Sequence, residues 1–93
     1  MDRESAVRHN PQKSRFELLV DGELAIADYV LRDGVMDFTH TETPPALQGR
    51  GIASQLVGGA LRSAQEQGLK IRASCSFVAA FLKQHPEFAH LQG

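Results

Sequence analysis

The chain has 93 residues, 42% hydrophobic and 23% charged, a balance that suits one ordinary globular domain and excludes a disordered or fibrous chain. Ten basic and eleven acidic side chains are spread along it for a formal net charge of -1, which leaves no electrostatic footprint for nucleic acid. There is no charged-then-apolar leader and no apolar run of about 18 residues, and the one cysteine, Cys75, can form neither an internal disulfide nor a zinc site, so a cytoplasmic protein of no membrane is expected.

Residues 1–14 are polar, with no sustained period, and read as a flexible tail ahead of a single domain over 15–93. From Arg15 the alternation of Phe16, Leu18 and Val20 predicts a strand, and Asp21-Gly22 supplies the positive φ of a tight hairpin turn. A second strand runs from Glu23 to about Arg32, Asp33-Gly34 repeats the turn signal, and a third strand covers Val35 to Thr41. A period of two along that third strand places Met36, Phe38, His40 and Glu42 on one face. Pro44-Pro45 ends it, because proline removes ladder donors and restricts the residue before it.

Ile52, Leu56, Val57, Ala60, Leu61 and Ala64 then recur at helical spacing, with Gly68 as the cap, for a helix of about five turns. Gly58-Gly59 inside it calls for a packing reason, because glycine costs a helix roughly 1 kcal/mol relative to alanine. Leu69 to Ser74 reads as a short buried strand parallel to the third, joined by the helical crossover. Phe77, Val78, Phe81 and Leu82 form a second helical stripe with Ser76 as N-cap and Pro86 as terminator. The order is β-β-β-α-β-α, an α+β fold on a mixed, mainly antiparallel sheet.

The segment Gln48-Gly49-Arg50-Gly51-Ile52-Ala53 falls where the Pro-Pro stop hands over to the first helix, so its amides are that helix's orphan donors and form a ready anion site. Gly49 and Gly51 clear side chains from the approach, and Arg50 can add a charge-assisted contact to a phosphate. The dinucleotide fingerprint requires glycine where Ser54 stands and a Walker loop requires a Gly-Lys-Ser/Thr triplet; neither condition is met.

Gln48, Gly51 and Ala53 match the Gln/Arg-x-x-Gly-x-Gly/Ala signature of the GCN5-related N-acetyltransferases. Together with His40-Thr41-Glu42, Cys75-Ser76-Phe77-Val78 and His85-Pro86-Glu87-Phe88, the chain after Arg15 resembles the compact, single-domain subgroup of that family. The resemblance implies an acyl-CoA N-acyltransferase-like fold with acetyl-CoA as co-substrate, its pyrophosphate held by residues 48–53 and Ser54, and an amine of unspecified identity as acceptor. It also implies a catalytic role for Cys75.

Cys75 sits just before the second helix, where the helix's positive end lowers a thiol pKa; it fits either a nucleophile or a buried core thiol. His40 and Glu42, near the glycine loop in sequence, fit a general base or a solvated strand end. His85 fits helix C-terminal chemistry better than catalysis. Full-size relatives of this kind carry a tyrosine acid late in the chain, whereas the one tyrosine here, Tyr29, lies on the second strand. Direct transfer and transfer through Cys75 both remain open at this level, as do a CoA-binding module of little activity, free-nucleotide binding at the loop, and the oligomeric state.

Overall fold

The structure is a computed structural model that describes residues 6–93. Five strands form one sheet in sequence order: β1 (Arg8–Asn10), β2 (Arg15–Val20), β3 (Glu23–Arg32), β4 (Val35–Glu42) and β5 (Lys70–Ala73). β1 to β4 pair antiparallel and β5 joins β4 in parallel, after the crossover helix α1 (Ile52–Glu66). The second helix, α2 (Ser76–Gln84), is followed by a 3-10 turn over Pro86–Leu91, and Gly93 returns to donate its amide to the Ile71 carbonyl at 3.0 Å. No helix of the described residues is long and apolar enough to cross a membrane.

The two hairpin turns form as the dipeptides require. Asp21 and Gly22 have φ of 52° and 77°, and Asp33 and Gly34 have 54° and 76°, so both central residues of each turn are left-handed, which matches the twist of the strands they join. α1 spans 15 residues, about four turns rather than five, and its Gly58 is buried.

Two expectations change. Residues 1–14 were expected to be a tail; 1–5 lie outside the described residues, but Arg8 to Asn10 pair with Glu17 to Arg15 as an edge strand, and Asn10 caps a following 3-10 turn. Three residues are too few to show a period. The edge holds because His9 stacks on Phe16 at 4.4 Å between ring centres and bonds the Tyr29 hydroxyl at 2.6 Å. The observed order is therefore β-β-β-β-α-β-α. In addition, Cys75 rather than Ser76 is the N-cap of α2.

Every described buried residue of the core is apolar apart from the tyrosine hydroxyl. Phe16, Leu18, Ala25, Ala27, Tyr29, Met36, Phe38 and Ile71 line one face of the sheet, and α1 and α2 both pack there, contributing Leu56, Val57, Leu61 and Val78. Leu47, on the 3-10 turn before α1, is 1% exposed and closes the top of this layer. The opposite face carries Leu19, Leu24, Val30 and most of the charged residues of the strands, and no described helix covers it.

Burial pushes the Tyr29 pKa up, so its hydroxyl stays protonated and paired with His9. Tyr29→Phe deletes one such bond and should cost about 1 kcal/mol. Calorimetry should then show Tm lower by roughly 4–8 °C, and an unchanged Tm would mean that the pair does not hold the edge strand.

Candidate functional site

β4 and β3 pair regularly from Arg32↔Val35 to Tyr29↔Phe38, then resume at Asp28↔His40, so Thr39 is an extra residue in β4. Such a bulge reverses the parity of the strand beyond it. Thr41 pairs with buried Ala27 and so faces the helices, while His40 and Glu42 pair with Asp28 and Ile26 on the uncovered face. The expectation that His40 and Glu42 continue the Met36–Phe38 face is therefore corrected. They do stay together: His40 Nε2 lies 3.7 Å from Glu42 Oε2, with the two side chains 59% and 67% exposed.

β5 pairs with β4 only as far as Phe38↔Ala73. Beyond that point β4 continues along β3 while the segment after Ala73 turns into α2, so the two part in a wedge. Its apex is clamped twice. The Cys75 amide donates to the Phe38 carbonyl at 2.9 Å, and Asp37 accepts from the Ser74 amide at 3.1 Å and the Ser74 hydroxyl at 2.9 Å.

These clamps place Cys75 half-buried in the wedge, with its Sγ 3.6 Å from the Thr41 hydroxyl. Burial pushes the thiol pKa up. The Val78 amide, the Thr41 hydroxyl and the Phe77 and Thr41 amides pull it down, and their sum outweighs burial, leaving the thiol below its ordinary 9.0. Sulfur thus occupies the position where a capping oxygen usually sits, facing the first amides of α2, although no full capping hydrogen bond closes. Thr41 is the residue that sequence reasoning missed, because a bulge leaves no mark in a period of two.

The glycine loop lies at the same end of the sheet. Gly49 and Gly51 have φ of 80° and 73°, a Cβ on either would meet open space, and Gly51 is the N-cap of α1. The first helical bond runs from the Gln55 amide to the Gly51 carbonyl, so the amides of Ile52, Ala53 and Ser54 have no partner within the helix. They border a cavity of about 210 Å³ lined by Thr43, Leu47, Gln48, Gly49, Gly51, Ile52, Ala53, Ser54 and, from α2, Phe77.

Three loop side chains are occupied or turned away. Gln48 Nε2 donates to the Thr43 carbonyl at 3.1 Å, Ile52 is buried in the core, and Arg50 pairs with Asp21 of the β2–β3 turn at 3.0 Å. What the loop offers an anion is main-chain N–H groups and the positive end of α1, and Arg50 must leave Asp21 to join them. His85 lies elsewhere, stacked on Phe81 at 3.9 Å and 3.3 Å from Glu87. Tyr29 is 5% exposed and committed to His9, which leaves it unfit as a mobile acid.

The thiol environment is testable. In a profile of alkylation rate against pH, the midpoint for Cys75 should lie below 9.0. Thr41→Val keeps the shape and removes the hydroxyl, so the midpoint should move upward; an unmoved midpoint would show that Thr41 does nothing for the thiolate.

Known proteins share the sequence pattern and the fold. A sequence model of the family described as GCN5-related N-acetyl-transferase matches residues 15–91. The protein NATD1 of Mus musculus is 32% identical over 84 residues, covering 86% of this chain and 76% of its own length. NATD1 of Xenopus tropicalis is 32% identical over 92 residues, covering 92% and 84% respectively. A GCN5-like protein from Staphylococcus aureus, solved by NMR, superposes with a TM-score of 0.67 across all of this chain and 91% of that one at 24% identity, which speaks for a shared fold. With the family signature extending from β2 through the turn after α2, the chain belongs to the GCN5-related N-acetyltransferase family.

Proposed function

We propose that this domain binds acetyl-CoA and transfers its acetyl group to an amine through Cys75. The observation that carries the reading is the start of α1, where the first-turn amides from Ile52 to Ser54, behind Gly49 and Gly51, border a cavity at one end of a wedge whose apex holds the thiol. A diphosphate is a ligand that such a helix start suits, and the pantetheine arm would reach down the wedge toward Cys75. Acetyl-CoA acts as co-substrate rather than as a resident cofactor.

In the first step the Cys75 thiolate attacks the thioester carbonyl; a C–S bond to Cys75 forms, the bond to the CoA sulfur breaks, and CoA leaves as a thiolate that takes up a proton. In the second, an unprotonated amine attacks the acetyl-cysteine, the C–N bond forms, and the Cys75 thiolate is regenerated as the amine loses its proton. Amides facing the sulfur favour its anionic form as attacker and as leaving group. His40 and Glu42 stand on the uncovered face and would take the amine's proton there.

A second reading, a CoA-binding module of little turnover, is favoured by one observation: the buried Tyr29 leaves no described tyrosine to act as acid.

Calorimetric titration with acetyl-CoA should give saturable binding. Gly51→Ala should fold at a cost of about 1–2 kcal/mol for a left-handed alanine and lose roughly tenfold or more in affinity, because its Cβ enters the open space at the loop that the ligand would fill. Failure of the unmodified protein to bind would remove the proposal. In intact-mass measurements the protein should gain one acetyl group, and Cys75→Ala should bind acetyl-CoA yet gain none. Binding with neither acetylated Cys75 nor acetylated amine would favour the second reading, and undiminished transfer by Cys75→Ala would establish direct attack.

A further inference from the structure

The two faces of the sheet beside the β4–β5 wedge differ: the glycine loop and the Thr41–Cys75 pair lie on the helix side, and the uncovered face carries His40, Glu42, Asp28 and Asp37. With a ligand held by the loop on the helix side, the uncovered face is the side left for a second reactant.

Directly below the wedge on that face lies a concavity of about 410 Å³, bordered by Val30, Arg32, Asp33, Val35, Asp37 and Arg72. The strand pairing explains its composition. Val30↔Asp37↔Arg72 forms one cross-strand row and Arg32↔Val35↔Lys70 the next, all pointing away from the helices. Val30 and Val35 form an apolar floor, and Val30 remains 49% exposed.

The charges around this floor select among ligands. Neither Arg32 nor Arg72 has a hydrogen bond or ion pair among the described residues, although Asp37 is Arg72's cross-strand neighbour. Asp37 is instead turned toward Ser74 at the wedge apex, and Lys70 donates to the His90 carbonyl. A pure cation such as a diamine would meet two guanidinium groups. A pure anion would meet the carboxylates of Asp33 and Asp37. A molecule with a carboxylate at one end and an amine at the other satisfies both, with its carboxylate on the guanidinium forks and its amine toward Asp37 and the wedge.

We propose that this concavity is the acceptor site, and that the acceptor is an amino-carboxylate held by Arg32 and Arg72 with its free amine directed into the β4–β5 wedge. The assignment rests on the acetyl-transfer reading above for the role of the bound molecule, but not for the binding itself. Cys75 lies three residues beyond Arg72, about 10 Å at the rise of a strand. The carboxylate and amine should therefore be separated by a chain of lysine-like length, with methylenes that cover Val30 and Val35.

The test is a titration of ¹⁵N-labelled protein followed by amide shifts, with three probes of matched length: ε-aminocaproate, caproate, which lacks the amine, and cadaverine, which lacks the carboxylate. Saturable shifts confined to residues 30–37 and 70–75 are expected with ε-aminocaproate, with the other two weaker by about tenfold or more. The double variant Arg32→Ala/Arg72→Ala should abolish them while acetyl-CoA still shifts the Gly49 and Gly51 amides. Both arginines are exposed, so the variant keeps the fold, and its unperturbed spectrum verifies this. Equal binding of cadaverine or caproate, shifts that survive the double variant, or no saturable shift in those residues would each overturn the proposal. Acetyl-CoA is read separately at the loop amides. If it fails to bind, acetyl transfer falls, and the shifts at 30–37 and 70–75 still decide whether the concavity takes amino-carboxylates.

Discussion

One inserted residue in β4 governs the chemistry-bearing end of the molecule. Opposite Asp28 and Tyr29 the strand must accommodate Thr39 without a partner, and a strand of side-chain period two responds by exchanging its faces. Thr41 is thereby delivered to Cys75, and His40 and Glu42 to the uncovered face. The same point in the sheet is where β5 ceases to follow β4, so the altered strand also forms one wall of a wedge. Without the bulge, His40 would point at the core and the thiol would have no hydroxyl partner.

The apex of the wedge is tied on both faces. The Phe38 carbonyl holds the Cys75 amide, and the Asp37 carboxylate holds both polar groups of Ser74. These bonds hold the segment after β5 against β4 where Cys75 becomes the N-cap of α2. A thiol in that position is subject to two opposed effects: burial, which favours the neutral form, and directed amides, which favour the anion. The amides prevail.

Both helices lie on one side of the sheet, which lets a chain of this size build a dry apolar layer and leaves the other side bare. The bare side carries a pattern of its own, since Arg32, Asp37 and Arg72 flank two valines rather than neutralising one another. The two faces meet at the wedge, where a ligand anchored on α1 and another resting on the strands would converge.

Much of this was legible in the residues. Asp21-Gly22 and Asp33-Gly34 marked the two hairpins, Pro44-Pro45 the end of β4, and the stripe from Ile52 to Ala64 the crossover helix, because turn chemistry and hydrophobic period are local properties that the chain carries wherever it goes. The glycines at 49 and 51 marked the anion-ready start of α1 for the same reason, and with the family signature they placed the fold. Tertiary structure alone decided the rest. The edge strand at Arg8–Asn10 exists because His9 finds Phe16 and Tyr29, residues far along the chain. Arg50 turns to Asp21, and Thr41 rather than His40 meets Cys75, because a bulge and an ion pair depend on what stands opposite in space, and no period or spacing along one strand records its neighbour.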